Sequence, residues 1–172
     1  TQPAFRRLRP REVVATMNEA VELEMDLRLE AAAASELARN FQDAPGFSPP
    51  AVDWERTSRR VLTTERIEGV RIDRKAELIA AGLDPNDVLR RCAETFFHQI
   101  FRDGFFHADM HPGNMFIEAD GTLAPVDFGI MGRVDRQTRE FLAQILTGFM
   151  SGDYEMVADV HFRAGYVPAG QS

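Results

Sequence analysis

The chain has 172 residues, a formal net charge of −7 and 44% hydrophobic residues, enough for one sizeable core. Its acidic balance argues against a nonspecific grip on nucleic acid, which needs a basic surface, and no run approaches the roughly 18 apolar residues of a membrane span. The lone cysteine, Cys92, excludes an intrachain disulfide, and its neighbours Val88, Leu89 and Phe96 suggest a packed thiol, not a nucleophile.

In chain order, Arg11 to Phe41 contains no Gly or Pro and is rich in Ala, Glu, Leu and Arg. That composition predicts one long helix, with Pro10 suited to its first turn. Val14, Met17 and Val21 recur at helical spacing and mark a buried side. Glu22, Asp26 and Glu30 stack three acids on one stripe, a repulsion of a few tenths of a kcal/mol per pair. Arg28, four residues after Glu24, offsets part of it. Read alone, the stripe is a solvated acidic face. Phe41 to Pro50 is a turn-rich loop. Ala51 to Trp54 and Arg60 to Ile67 read as two strands, and the Thr63–Gly69 run ends in glycine.

Asp84-Pro85 starts a helix, with Asp84 as cap and Pro85 at its first position. Val88, Leu89, Cys92, Phe96, Ile100 and Phe101 give it an apolar face to about Arg102, and Gly104 ends it. Met115 to Glu118 and Thr122 to Val126 flank Ala119-Asp120-Gly121, a hairpin signal. Arg136 to Met150 and Tyr154 to Ala164 are further helices, with Asp135 capping the first and Gly152-Asp153 separating the pair. Phe141, Leu142, Ile145, Leu146 and Phe149 form an apolar face on the first. The fold class is mainly α with small β hairpins (α+β), in segments 1–50, 51–70 and 71–172.

Residues 107–129 carry the chemistry: His107-Ala108-Asp109, His111-Pro112-Gly113-Asn114, then Asp127-Phe128-Gly129. Magnesium takes oxygen ligands and keeps several waters. Asn114 and Asp127 supply an amide and a carboxylate oxygen, and Asp109 is left to orient or deprotonate a nucleophile, the division of labour of kinase-type phosphoryl transfer. His107 packs beneath the loop and hydrogen-bonds to hold its shape. His107 and His111 lie on a loop with Pro and Gly, without the helical face that zinc motifs use.

The His107-to-Asn114 letters resemble the UbiB family of atypical protein-kinase-like proteins, which support ubiquinone biosynthesis. Aminoglycoside phosphotransferases and choline kinases carry a similar loop. The stretch Glu24-Met25-Asp26-Leu27-Arg28-Leu29-Glu30 followed by alanines also resembles the UbiB signature, and the resemblance runs from about Phe5 to Tyr166. It implies a kinase-like carboxyl-terminal lobe with the preceding regulatory helix, and ATP and Mg2+ as cofactors. Glu30 is implied to pair with the nucleotide-binding lysine, and Glu24 and Asp26 to act near phosphates or metal. Glu65 and Ile67 are implied to hydrogen-bond adenine through their backbone, with Thr64 at the back of the pocket.

The chain's one lysine, Lys75, follows the first helix and cannot be the strand lysine that family members place before it. The family's Lys-x-Gly-Gln motif is absent too, so the sequence reads as a piece of a longer protein, without the nucleotide-covering strands. For that parent the family implies ATPase activity on the cytoplasmic side of the bacterial inner membrane. Its implied partners are nucleotide and membrane-surface, lipid or ubiquinone-pathway components, not nucleic acid. The exposed cleft face suggests a homodimer, and the piece alone is expected to be soluble and inactive. The rival readings are a phosphotransferase acting on a protein or small alcohol and a catalytically inert binding module.

Overall fold

The computed structural model describes Val14 and residues 25–167. These residues form two compact units that interleave along the chain. The first holds the residues up to Val88 together with Met110–Ile130, and the second holds Leu89–Asp109 and the residues from Met131 onward. Each unit joins two stretches of chain.

In the first unit, α1 (Leu27–Asn40) buries Ala31, Ala34 and Leu37 at helical spacing. The continuous helix expected from Arg11 to Phe41 is not formed: Met25 lies in a turn, and Asp26 has φ −99° and ψ 87°. Asp26 is the N-cap of α1, its carboxylate accepting from the Arg28 N–H at 3.2 Å. Leu27 N–H donates outside the helix, to Arg59 O at 3.0 Å. Asp26 therefore precedes α1 as its cap and does not lie within the helix. Glu22 and the rest of the expected helix before Met25, apart from Val14, lie outside the described residues.

The runs 51–54 and 60–67 lie antiparallel but pair only through one isolated bridge, Val52 with Thr64, while a second, Ser58 with Val61, closes the turn between them. The expected strands give way to local side-chain bonds. Asp53 caps a 3-10 turn at Trp54–Arg56, and Thr57 Oγ1 donates to Asp53 O at 2.7 Å. Regular pairing begins at Gly69, where the sequence places the end of a strand. Here β1 (Gly69–Arg71) pairs with β3 (Met115–Glu118), which pairs with β4 (Leu123–Pro125), all antiparallel. A methyl group at Gly69 would stand 2.6 Å from Ile117 O, so only glycine fits. The 115–126 hairpin forms as its Asp-Gly turn predicts, with Gly121 at φ 84°. Met115, Ile117, Leu123, Phe128 and Leu78 of α2 (Lys75–Ala80) are buried.

The next helix, α3 (Pro85–Phe97), begins as read, with Asn86 N–H on the Asp84 carboxylate at 2.9 Å. The boundary between units falls inside it, after Val88. In the second unit it continues as a π-helical turn, His98–Asp103, closed by Gly104 at φ 67°. The strand β2 (Phe105–His107) pairs antiparallel with β5 (Met131–Arg133). Two helices follow, α4 (Arg136–Ser151), capped by Asp135 as read, and α5 (Tyr154–Arg163), capped by Asp153, which the sequence placed only between the helices. The face expected to bury α4 is only partly covered. Gly148 is the buried residue of α4, where a methyl would meet Val157 Cγ2 at 2.6 Å. Phe149, expected on the buried face, is 56% exposed and meets Tyr154 edge-on at 6.2 Å. Cys92 is half-buried, and burial pushes its thiol pKa up.

Candidate nucleotide and metal site

In the first unit the β3–β4 hairpin places the proposed ligands. Met115 pairs with Pro125 at its open end, and Val126 N–H donates to Asn114 O at 2.7 Å. Asn114 and Asp127 thus flank the last bonds of one ladder, although twelve residues separate them in sequence. Asn114 ends a 3-10 turn, Pro112–Asn114, whose cap is His111. The His111 Nδ1 accepts from Gly113 N–H at 3.1 Å, so this histidine shapes the loop. Asp127 is exposed and has φ 68°, a left-handed conformation that Asp tolerates better than most residues. Its Oδ1 accepts from Gly129 N–H at 3.2 Å, and Oδ2 has no hydrogen bond among the described residues.

Glu30 reaches the same segment. Its Oε1 accepts from the Phe128 N–H at 3.0 Å, across 98 residues of sequence. Phe128 is 3% exposed, so its ring anchors the turn while its amide binds α1. Asp26, by contrast, is engaged locally: Arg28 Nε and NH2 donate to its two oxygens at 2.8 and 2.6 Å. That fork holds the Asp26 pKa down at about 2, with the side-chain bond from Arg28 as the largest cause. Glu24 lies outside the described residues. Thr64 sits in the bridge to Val52, and Glu65 N–H donates to Ala51 O at 2.8 Å. The Ile67 N–H makes no hydrogen bond among the described residues.

Asp109 belongs to the second unit and is exposed. His107, buried beneath it at 2% exposure, accepts the Asp109 N–H on Nδ1 at 3.2 Å. The ring thus packs and hydrogen-bonds within the segment that carries Asp109. The His107 backbone N–H donates to Gln99 Oε1 at 2.8 Å. Sequence reasoning passed over Gln99. The available signal was a polar residue inside the apolar run Phe96, Phe97, Ile100 and Phe101.

The donor chemistry fits magnesium: Asn114 and Asp127 offer oxygens alone, as a hard cation requires. Among the described residues no cluster of three or more His, Cys, Asp or Glu is placed to hold a metal, so phosphate and water would complete the shell. A helix bonded through its glutamate to the Asp-Phe-Gly turn, beside a hairpin bearing Asn and Asp, defines the class: a kinase-like α+β fold.

The model of the ABC1 atypical kinase-like domain matches residues 1–161. A protein of Marinobacter nauticus (strain ATCC 700491 / DSM 11845 / VT8), described as a probable protein kinase UbiB, is 42% identical over 167 residues, 95% of this chain. The chain spans 30% of that relative's length. The solved complex of Rv3197 with erythromycin from Mycobacterium tuberculosis is similar over 93% of this chain and 40% of its own, at 30% identity and a TM-score of 0.72. The chain belongs to the ABC1 atypical kinase-like family.

Proposed function

We propose that the chain is the metal-binding part of a kinase-like ATPase that uses Mg-ATP in support of ubiquinone biosynthesis. The observation that carries this reading is the Val126-to-Asn114 backbone bond, which sets Asn114 and Asp127 at one end of one hairpin. Both side chains hold the cation; when bound, it neutralises phosphate charge and orients the triphosphate. Asp109 orients or deprotonates the attacking group. Glu30 fixes the Asp127 turn through Phe128, and Glu24 and Asp26 act near the phosphates. The backbone at Glu65 and Ile67 receives adenine, with Thr64 behind it. His107 acts on the site through the loop that carries Asp109. Partners of the longer protein are lipids or enzymes of the ubiquinone pathway at a membrane surface; no described helix is long and apolar enough to cross one.

Assaying ATP turnover by the full-length protein, with and without acceptors, tests this. Magnesium-dependent phosphate release without a soluble acceptor is expected. Stoichiometric phosphoryl transfer to a soluble alcohol would replace the reading with a conventional phosphotransferase.

A further inference from the structure

We propose that Gln99 is a positioning residue for Asp109, acting through two hydrogen bonds in series. This rests on the reading of Asp109 as the group that orients the attacking atom. Gln99 is fully buried, at 0% exposure, on the π-helical turn that precedes β2. Its Oε1 accepts the His107 N–H at 2.8 Å. The His107 Nδ1 in turn accepts the Asp109 N–H at 3.2 Å. The imidazole must therefore present an unprotonated Nδ1 toward Asp109. One side chain fixes the strand, the strand fixes the ring, and the ring fixes the backbone that carries the carboxylate.

A second observation separates this from ordinary packing. The Gln99 Nε2 is buried with no hydrogen-bond partner among the described residues. An unpaired buried amide nitrogen is a cost that an aliphatic side chain of similar volume would not incur. The residue is thus poorly chosen for filling space, and its carbonyl oxygen is what the site uses. A backbone N–H as deeply buried as that of His107 cannot turn to water instead. The location agrees, because π-helical turns set into α-helices recur at functional sites.

The test compares Gln99→Leu with Gln99→Glu in the full-length protein, reading residue-resolved hydrogen exchange and steady-state ATP turnover. In Gln99→Leu, exchange should quicken at least tenfold at both the His107 and Asp109 amides. Its kcat should fall about tenfold or more, while the KM for Mg-ATP stays within about twofold. Gln99→Glu keeps an acceptor oxygen and should restore Asp109 protection and most of kcat. Unchanged protection at Asp109 in Gln99→Leu would overturn the proposal, as would unchanged kcat in an active enzyme. Where Gln99→Leu fails to fold, Gln99→Asn, one methylene too short, takes its place with the same outcomes. If the wild-type protein turns over no ATP, the functional reading of Asp109 fails, and the exchange data alone decide whether Gln99 holds the loop.

Discussion

Asp127 joins an observed role in a tight turn to a proposed role as a metal ligand, and substitution separates the two. Its φ of 68° is strained for most side chains but accessible to Asp and Asn. Asp127→Asn therefore keeps the turn and removes only the charge. Magnesium-dependent nucleotide binding by the full-length protein should weaken at least about tenfold, roughly 1.4 kcal/mol, with an almost unchanged melting temperature. An unchanged magnesium titration would remove Asp127 from the ligand set. Asp127→Ala should lose the same affinity and also about 1 kcal/mol of stability, since alanine resists the left-handed region. Asp26 gives a pH prediction of definite sign. Its pKa is lowered from 3.8 to about 2 by the Arg28 fork, so its contribution to the α1 cap is present above the ordinary carboxylate range. It is lost as pH falls from 3.8 toward about 2. The Asp26 carboxyl resonance should titrate near the lower value in NMR; a midpoint close to 4 would mean that the fork is not formed.

At the scale of elements, two glycines make a controlled pair. Gly104 and Gly152 both end helices in the left-handed conformation, at φ 67° and 72°. A methyl at Gly152 meets nothing within 4 Å, whereas one at Gly104 would stand 2.6 Å from Val134 O and press on Arg139. Arg139 NH1 donates to Phe101 O and Arg102 O at 3.3 and 2.8 Å, closing the π-helical turn, so that clash also disturbs a charged cap. Gly152→Ala should cost about 1 kcal/mol, the ordinary left-handed penalty, and Gly104→Ala clearly more. Denaturant titration of both decides, and equal costs would show that the turn adjusts freely. The same elements show what was legible in the sequence. Asp84 and Asp135 announced their helices because a cap is a local bond, completed within three residues. The Asp120-Gly121 hairpin was legible for the same reason, and with it the nearness of Asn114 to Asp127. Misread elements failed where a side chain competed with the backbone. Asp26 stopped a sequence of high helix propensity, and Asp53 and Thr57 displaced a ladder. The Glu30–Phe128 bond left no local trace, and Gln99 left only its polarity within an apolar run, since each depends on a partner supplied by another element.

For the molecule as a whole, the question is how much of a nucleotide site these 172 residues can supply. ATP is an anion, and the chain carries a net charge of −7, so attraction must come from local donors or a bridging cation. Lys75 is the chain's one lysine and starts the short helix α2 after β1, on the surface. It cannot be the strand lysine that Glu30 is expected to pair with; Glu30 accepts the amide of Phe128 on one carboxylate oxygen. On the proposed reading, what remains for the triphosphate would be a magnesium ion held by one amide and one carboxylate oxygen, with the base at the Ile67 N–H, which has no hydrogen bond among the described residues. Magnesium dehydrates reluctantly and binds weakly to so few protein ligands without phosphate to share. The chain by itself should therefore bind Mg-ATP weakly, with a dissociation constant well above the micromolar range, and bind free ATP more weakly still. Isothermal titration of residues 1–172 with and without magnesium measures both. Micromolar affinity would mean that these residues hold the triphosphate without a strand lysine. An arginine would then have to replace it.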